Sequence, residues 1–132
     1  MTGLIGWWPL HEKSGNTAYD LAGNSNHGTS KGGVSKGVAG KSGLTAYSFD
    51  GSDDYVESLN NAEFILKTFT VSAWIYGRSI ADQELLIGLE RDGGASLNWA
   101  IWGVTNNNIE VWLNNADTNG NNIELTGSEF ET

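Results

Sequence analysis

Apolar and polar residues alternate with a period of two through "FTVSAWIYG", residues 69 to 77, where Phe69, Val71, Ala73 and Ile75 interleave with Thr70, Ser72, Trp74 and Tyr76. That is the period of a β-strand, and Trp and Tyr in the second set predict an interior strand with both faces at least partly covered. The segments "SLNWAIWGV" (96–104) and "NIEVWLN" (108–114) read the same way, with "TNNN" between them as a hairpin connection. Shorter strands are expected over 4–8, 17–20, 44–49, 54–58, 84–89 and 122–125. The stretch "GTSKGGVSKGVAGKSG" (28–43) is rich in Gly, Ser and Lys and reads as a surface loop. Only "NNAEFILK" (60–67) leans toward helix, and it is too short to change the class. Many short strands separated by Gly, Asn, Ser and Asp predict an all-β fold, an antiparallel two-sheet β-sandwich or jelly roll.

Length and charge narrow what such a fold can do. A chain of 132 residues is enough for a single domain, 1–132, and no internal repeat divides it. Sixteen acidic against seven basic residues leave a net charge of -9, which repels nucleic acid and anionic membrane surfaces on average but leaves divalent cations and neutral ligands open. With no Cys there is no disulfide, no thiolate zinc site and no thiol chemistry. No apolar run approaches the roughly 20 residues of a membrane span, so no membrane insertion is expected. The start "MTGLIGWWPL" shows no signal-peptide pattern.

The order of four blocks then becomes informative: "GLIGWWPLHE", "SGNTAYDLAGNSNHGT", "GKSGLTAYSFDGSDDYVES" and "FTVSAWIYG". Together, from about Gly3 to Gly77, they resemble the laminin-G-like jelly roll of the concanavalin A-like lectin and glucanase superfamily. The resemblance implies a two-sheet sandwich, usually non-catalytic, in secreted, cell-surface or virion proteins that bind glycans or other proteins, often with a structural calcium. It also implies that Trp8 and Trp74 are core residues. The later strand signatures of such domains are not recognisable after Gly77, so the sandwich is expected to be incomplete, and completion by a missing segment or another subunit through strand addition is expected.

Candidate chemistry sits in three places. In "SFDGSDDYVES" (48–58) the Asp50-Gly51 step is a turn signal, read as a hairpin with Phe49, Tyr55 and Val56 as core anchors, while Asp50, Asp53 and Asp54 could supply oxygens to calcium. Paired-carboxylate catalysis fits poorly: Asp53 and Glu57 would lie more than ~13 Å apart along a strand rising about 3.3 Å per residue. In "YDLAGNSNHG" (19–28), Asp20, Asn24 and Asn26 offer carboxylate and amide oxygens to calcium, and the resemblance places this loop beside the structural ion. The alternative is an Asx-turn network that only orders the loop. His27 is expected to make loop hydrogen bonds, because two His and no Cys do not make a tetrahedral zinc site.

The third place is the pair of Trp-rich strands. A sugar site combines an aromatic platform with amide and carboxylate groups, so Trp102 or Trp112, with Glu110 and Asn114, is the candidate glycan site, against the plainer role of Trp as core. The leading reading is therefore a non-catalytic recognition module that binds a glycan or a cell-surface protein, with calcium as candidate cofactor and an extracellular, cell-surface or virion location. The alternative is a structural or assembly subunit of a virion, appendage or surface layer. A glycoside hydrolase is the distant third.

Overall fold

A computed structural model of the chain describes residues 3–59, 62–64, 68–77, 84–90, 97–104, 108–113 and 121–125. The fold is all-β and antiparallel, in two compact units, Met1–Phe69 and Thr70–Thr132. Among the described residues nine strands run in order: β1 (Thr17–Ala18), β2 (Gly28–Lys31), β3 (Ser35–Ala39), β4 (Thr45–Ser48), β5 (Tyr55–Ser58), β6 (Glu84–Glu90), β7 (Leu97–Val104), β8 (Asn108–Leu113) and β9 (Asn121–Leu125). Within the helix-leaning stretch 60–67 the described residues Ala62–Phe64 form a 3-10 turn.

In the first unit β1, β2 and β5 form one sheet and β3 pairs with β4 in another. Ala18, Val34 and Tyr47 are buried between them, with Trp8, Leu10 and Val56 packed against this core. The segment expected to be a loop, 28–43, holds β2 and β3. Its small residues are what let β2 pack. A Cβ on Gly28 would lie 2.7 Å from a Val56 methyl and 3.5 Å from the Ala18 Cβ, so a side chain there would push β5 off the core. Gly32, at φ 82°, makes the turn between β2 and β3, and Gly37, at φ 72°, sits in the irregularity where the β3–β4 register shifts between Lys36 and Val38.

The reading of 48–58 as a hairpin is corrected. β4 belongs to the sheet of β3 and β5 to the sheet of β2, so the acidic turn connects two sheets. Phe49 and Tyr55 are exposed, and only Val56 of the three expected anchors packs on the core.

The second unit is a four-stranded sheet in the order β6-β7-β8-β9. The predicted hairpin of 96–104 with 108–114 is present as β7 and β8, with Val104 opposite Asn108. One row of its register runs Ile87, Ile101, Val111, Ile123. Residues 70–77 join no ladder, against the expectation of an interior strand, and Trp74 is 85% exposed where a core residue was expected.

Candidate functional site

Asp20 lies at the centre of the loop between β1 and β2 and is only 4% exposed. Its Oδ1 accepts the backbone N–H of Trp7 at 2.9 Å and of Ala22 at 2.8 Å, and its Oδ2 accepts that of Asn26 at 3.1 Å. The Asp20 N–H in turn donates to His27 Nδ1 at 3.0 Å, and the His27 ring meets Tyr19 edge-on at 5.3 Å. Burial pushes the Asp20 carboxyl up, but the three N–H donors and the nearby His27 outweigh it and hold the group below the ordinary carboxylate value.

The two asparagines use their amide nitrogens on the chain opposite. Asn24 Nδ2 donates to the Ile5 carbonyl at 2.8 Å and Asn26 Nδ2 to the same oxygen at 3.1 Å, while Trp8 Nε1 donates to the Asn26 carbonyl at 2.7 Å. These hydrogen bonds form an Asx network through Asp20, Asn24 and Asn26. Both lone pairs of Oδ1 face N–H donors, and a cation there would have to displace them. The loop is a clasp on residues 4–8, and it explains why that segment, expected as a strand, forms no ladder: its backbone groups are taken by side chains of 20–26 and by the Leu21 N–H on the Trp7 carbonyl at 2.8 Å.

The acidic turn brings Asp50, Asp53 and Asp54 together, with a ligand oxygen of each within 4.8 Å of the others. Among the described residues this is the one group of three acidic or imidazole side chains close enough to share an ion. Asp50 Oδ1 accepts the Ser52 N–H at 2.8 Å and Asp54 Oδ2 accepts the Asp50 N–H at 3.0 Å, so the turn is also held by Asx bonds. The Gly32 turn backs it: a Cβ on Gly32 would collide with the Asp53 carbonyl oxygen.

A polar thread crosses the core of the first unit. Lys36 lies opposite Tyr47 in the β3–β4 ladder, with its Nζ 5.3 Å from the Tyr47 ring centroid, and donates to Ser30 Oγ at 2.8 Å. Glu12 Oε1 accepts the Tyr19 N–H at 2.9 Å. Burial raises the Glu12 carboxyl, yet its backbone donors, Tyr47 and His11 together hold it below the ordinary value. Burial and the neighbouring Glu12 raise the Tyr47 hydroxyl well above the usual phenol range. The Tyr47 hydroxyl and Glu12 Oε2 are both buried without reaching hydrogen-bond geometry, so their coupling is a near contact. No sequence pattern pointed to this trio, because Glu12, Lys36 and Tyr47 meet only across loops and sheets.

In the second unit Trp102 stands opposite Glu110, and Trp112 opposite Ala100. Residues 100 and 102 share a face of β7, so the register gathers Trp102, Trp112 and Glu110 on one face and puts Trp99 on the other. Trp102 is half-buried and Ala100 is fully buried, so this face is covered at its centre. Asn114 lies outside the described residues.

No protein-family profile matches the chain, and no curated protein matches it in sequence. Among the described residues no helix is long and apolar enough to cross a membrane. A solved S-layer domain-containing protein from Clostridium thermocellum (residues 221–444) is similar in structure, with a TM-score of 0.73 and 19% identity over 96% of this chain. The match spans 58% of that solved chain, and what it shows is a shared fold.

Proposed function

We propose that this chain is a non-catalytic structural module that associates with other subunits at a cell surface. The observation that carries the reading is the distribution of apolar surface. Among the described residues the buried hydrophobic core is Ala18, Val34, Tyr47 and Ala100, whereas Trp7, Leu44, Leu59, Trp74 and Tyr76 are each more than half exposed. Single exposed apolar residues are ordinary, but so many large ones beside so small a core mark a surface built to be covered. The fold likeness to an S-layer domain-containing protein supports the same reading and is the basis for the surface location. Sedimentation of the whole chain at rising micromolar concentration tests it: reversible association is expected, and a monomer at every concentration overturns it.

Glycan recognition is the second reading, favoured by the register that brings Trp102, Glu110 and Trp112 to one sheet face. On that reading the domain is laminin-G-like and the acidic turn at Asp50, Asp53 and Asp54 is the position for a structural calcium.

A further inference from the structure

We propose that the face which the β1–β2 loop shares with residues 4–8, built from Trp7, Tyr19 and Leu21, is where a second copy of this chain docks about a twofold axis. The inference rests on the assembly reading above and names its contact. Three observations carry it. First, the three side chains stand together on a fixed backbone. The Leu21 N–H on the Trp7 carbonyl at 2.8 Å sets these two residues side by side, while Tyr19 and Leu21 flank the buried Asp20 on its outward side. All three are about half exposed. The Asp20 carboxylate holds the Trp7, Ala22 and Asn26 amides and the Tyr19 ring meets His27 edge-on, so little ordering is left to be done when a partner arrives.

Second, the face has the composition of an interface centre. Asp20 is the only Asp, Glu, Lys or Arg among residues 3–11 and 14–30, and it is buried with its oxygens on backbone N–H groups. The centres of protein interfaces are depleted of charge and enriched in Trp and Tyr, which cover much area with few rotatable bonds and carry a large share of the binding energy.

Third, charge selects the occupant and the place. Two copies each carrying -9 repel over most of their surfaces. At Phe49 and Tyr55, a different pair of exposed aromatics in this unit, a second copy would set its own Asp50, Asp53 and Asp54 against the same three carboxylates. The Trp7 face brings no such groups opposite each other. A twofold contact sets one patch against itself, which an uncharged apolar face allows and an acidic one opposes. A cationic partner gains nothing at the Trp7 face and is drawn to the acidic turn instead.

Sedimentation of the full chain and its variants tests the assignment. Leu21→Glu puts a carboxylate of each copy into the contact, and Trp7→Ala removes the largest anchor. Both keep the backbone N–H and carbonyl groups that join Trp7, Asp20 and Leu21, and each is expected to raise the dissociation constant at least about tenfold. Phe49→Ala, off the face, should leave it unchanged. Salt gives an independent reading: with an uncharged contact between copies that repel, association of the parent should tighten as sodium chloride is raised. Circular dichroism and melting temperature like those of the parent show that the variants fold, and if Trp7→Ala does not, Leu21→Glu decides. If the parent associates and Leu21→Glu associates equally well, or if salt weakens the association, the face assignment falls and the assembly reading stands. If the parent is monomeric throughout, both fall. Binding on a glycan array that Leu21→Glu abolishes while association is untouched would give the face to a sugar and overturn the proposal as well.

Discussion

The backbone N–H of Trp7 donates to the Asp20 carboxylate at 2.9 Å, fastening the start of the chain to a loop thirteen residues later. The same carboxylate holds the Ala22 and Asn26 amides, so one acidic side chain does the work that a ladder does elsewhere in the unit.

Asp20→Ala removes the acceptor from three backbone amides, two of them part-buried and one buried. A loss of about 2 to 4 kcal/mol is expected in chemical denaturation, because buried donors left without an acceptor each cost about 1–3 kcal/mol and are partly rehydrated. A loss well under 1 kcal/mol would show that water replaces the clasp at no cost.

Acid should unfold the first unit through Asp20 and Glu12. Both carboxyls are held below their ordinary values in the folded chain, so their contribution is present above the unfolded values of 3.8 and 4.5 and is lost as pH falls through the lower folded ones. Tyr47 has the opposite sign: its raised value means stability declines as pH climbs past the unfolded value of 10.0. Denaturation midpoints across pH check this, and Asp20→Asn should flatten the acid limb. An unchanged acid limb in that variant would refute the assignment to Asp20.

Gly32→Ala should cost more than Gly15→Ala. Both residues have positive φ, 82° and 78°, and pay the same left-handed penalty of about 1 kcal/mol. A Cβ at Gly15 meets nothing within 4 Å, whereas one at Gly32 meets the Asp53 carbonyl and lies 2.8 Å from the Asp54 Cα. Equal melting shifts for the two would mean that the acidic turn yields freely.

Calcium at the acidic turn predicts stabilisation of about 3 kcal/mol at a hundredfold excess over the dissociation constant, if the ion binds only the folded chain. Melting in EDTA and in millimolar calcium measures it, and Asp50→Asn with Asp53→Asn should abolish the shift. No shift in the parent removes calcium from the second reading.

For the Trp102 face, a glycan array in calcium buffer is the direct measurement. Recognition requires that Trp102→Ala and Trp112→Ala lose binding while melting stays close to the parent. Loss of folding in both would assign these residues to packing.

The all-β class, the β7–β8 hairpin and the loop role of His27 were legible in sequence, because alternation and turn residues are local signals. The strands β2 and β3 were not, since Gly28, Gly32 and Gly37 look like loop residues until Val56, Asp53 and the β4 register show why no side chain fits or the φ must be positive. Residues 48–58 show the same limit from the other side. The Asx turn at Asp50 is local and was foreseen, but whether its two flanking strands pair with each other depends on β2 and β3, which lie elsewhere in the chain. Composition placed Asp20 among amides able to bind an ion, and only the tertiary structure brings the Trp7, Ala22 and Asn26 N–H groups onto its oxygens. Sequence sets what a segment is able to form, while the neighbours that tertiary structure brings decide which of its hydrogen-bonding groups and faces are satisfied, as the two oxygens of Asp20 show.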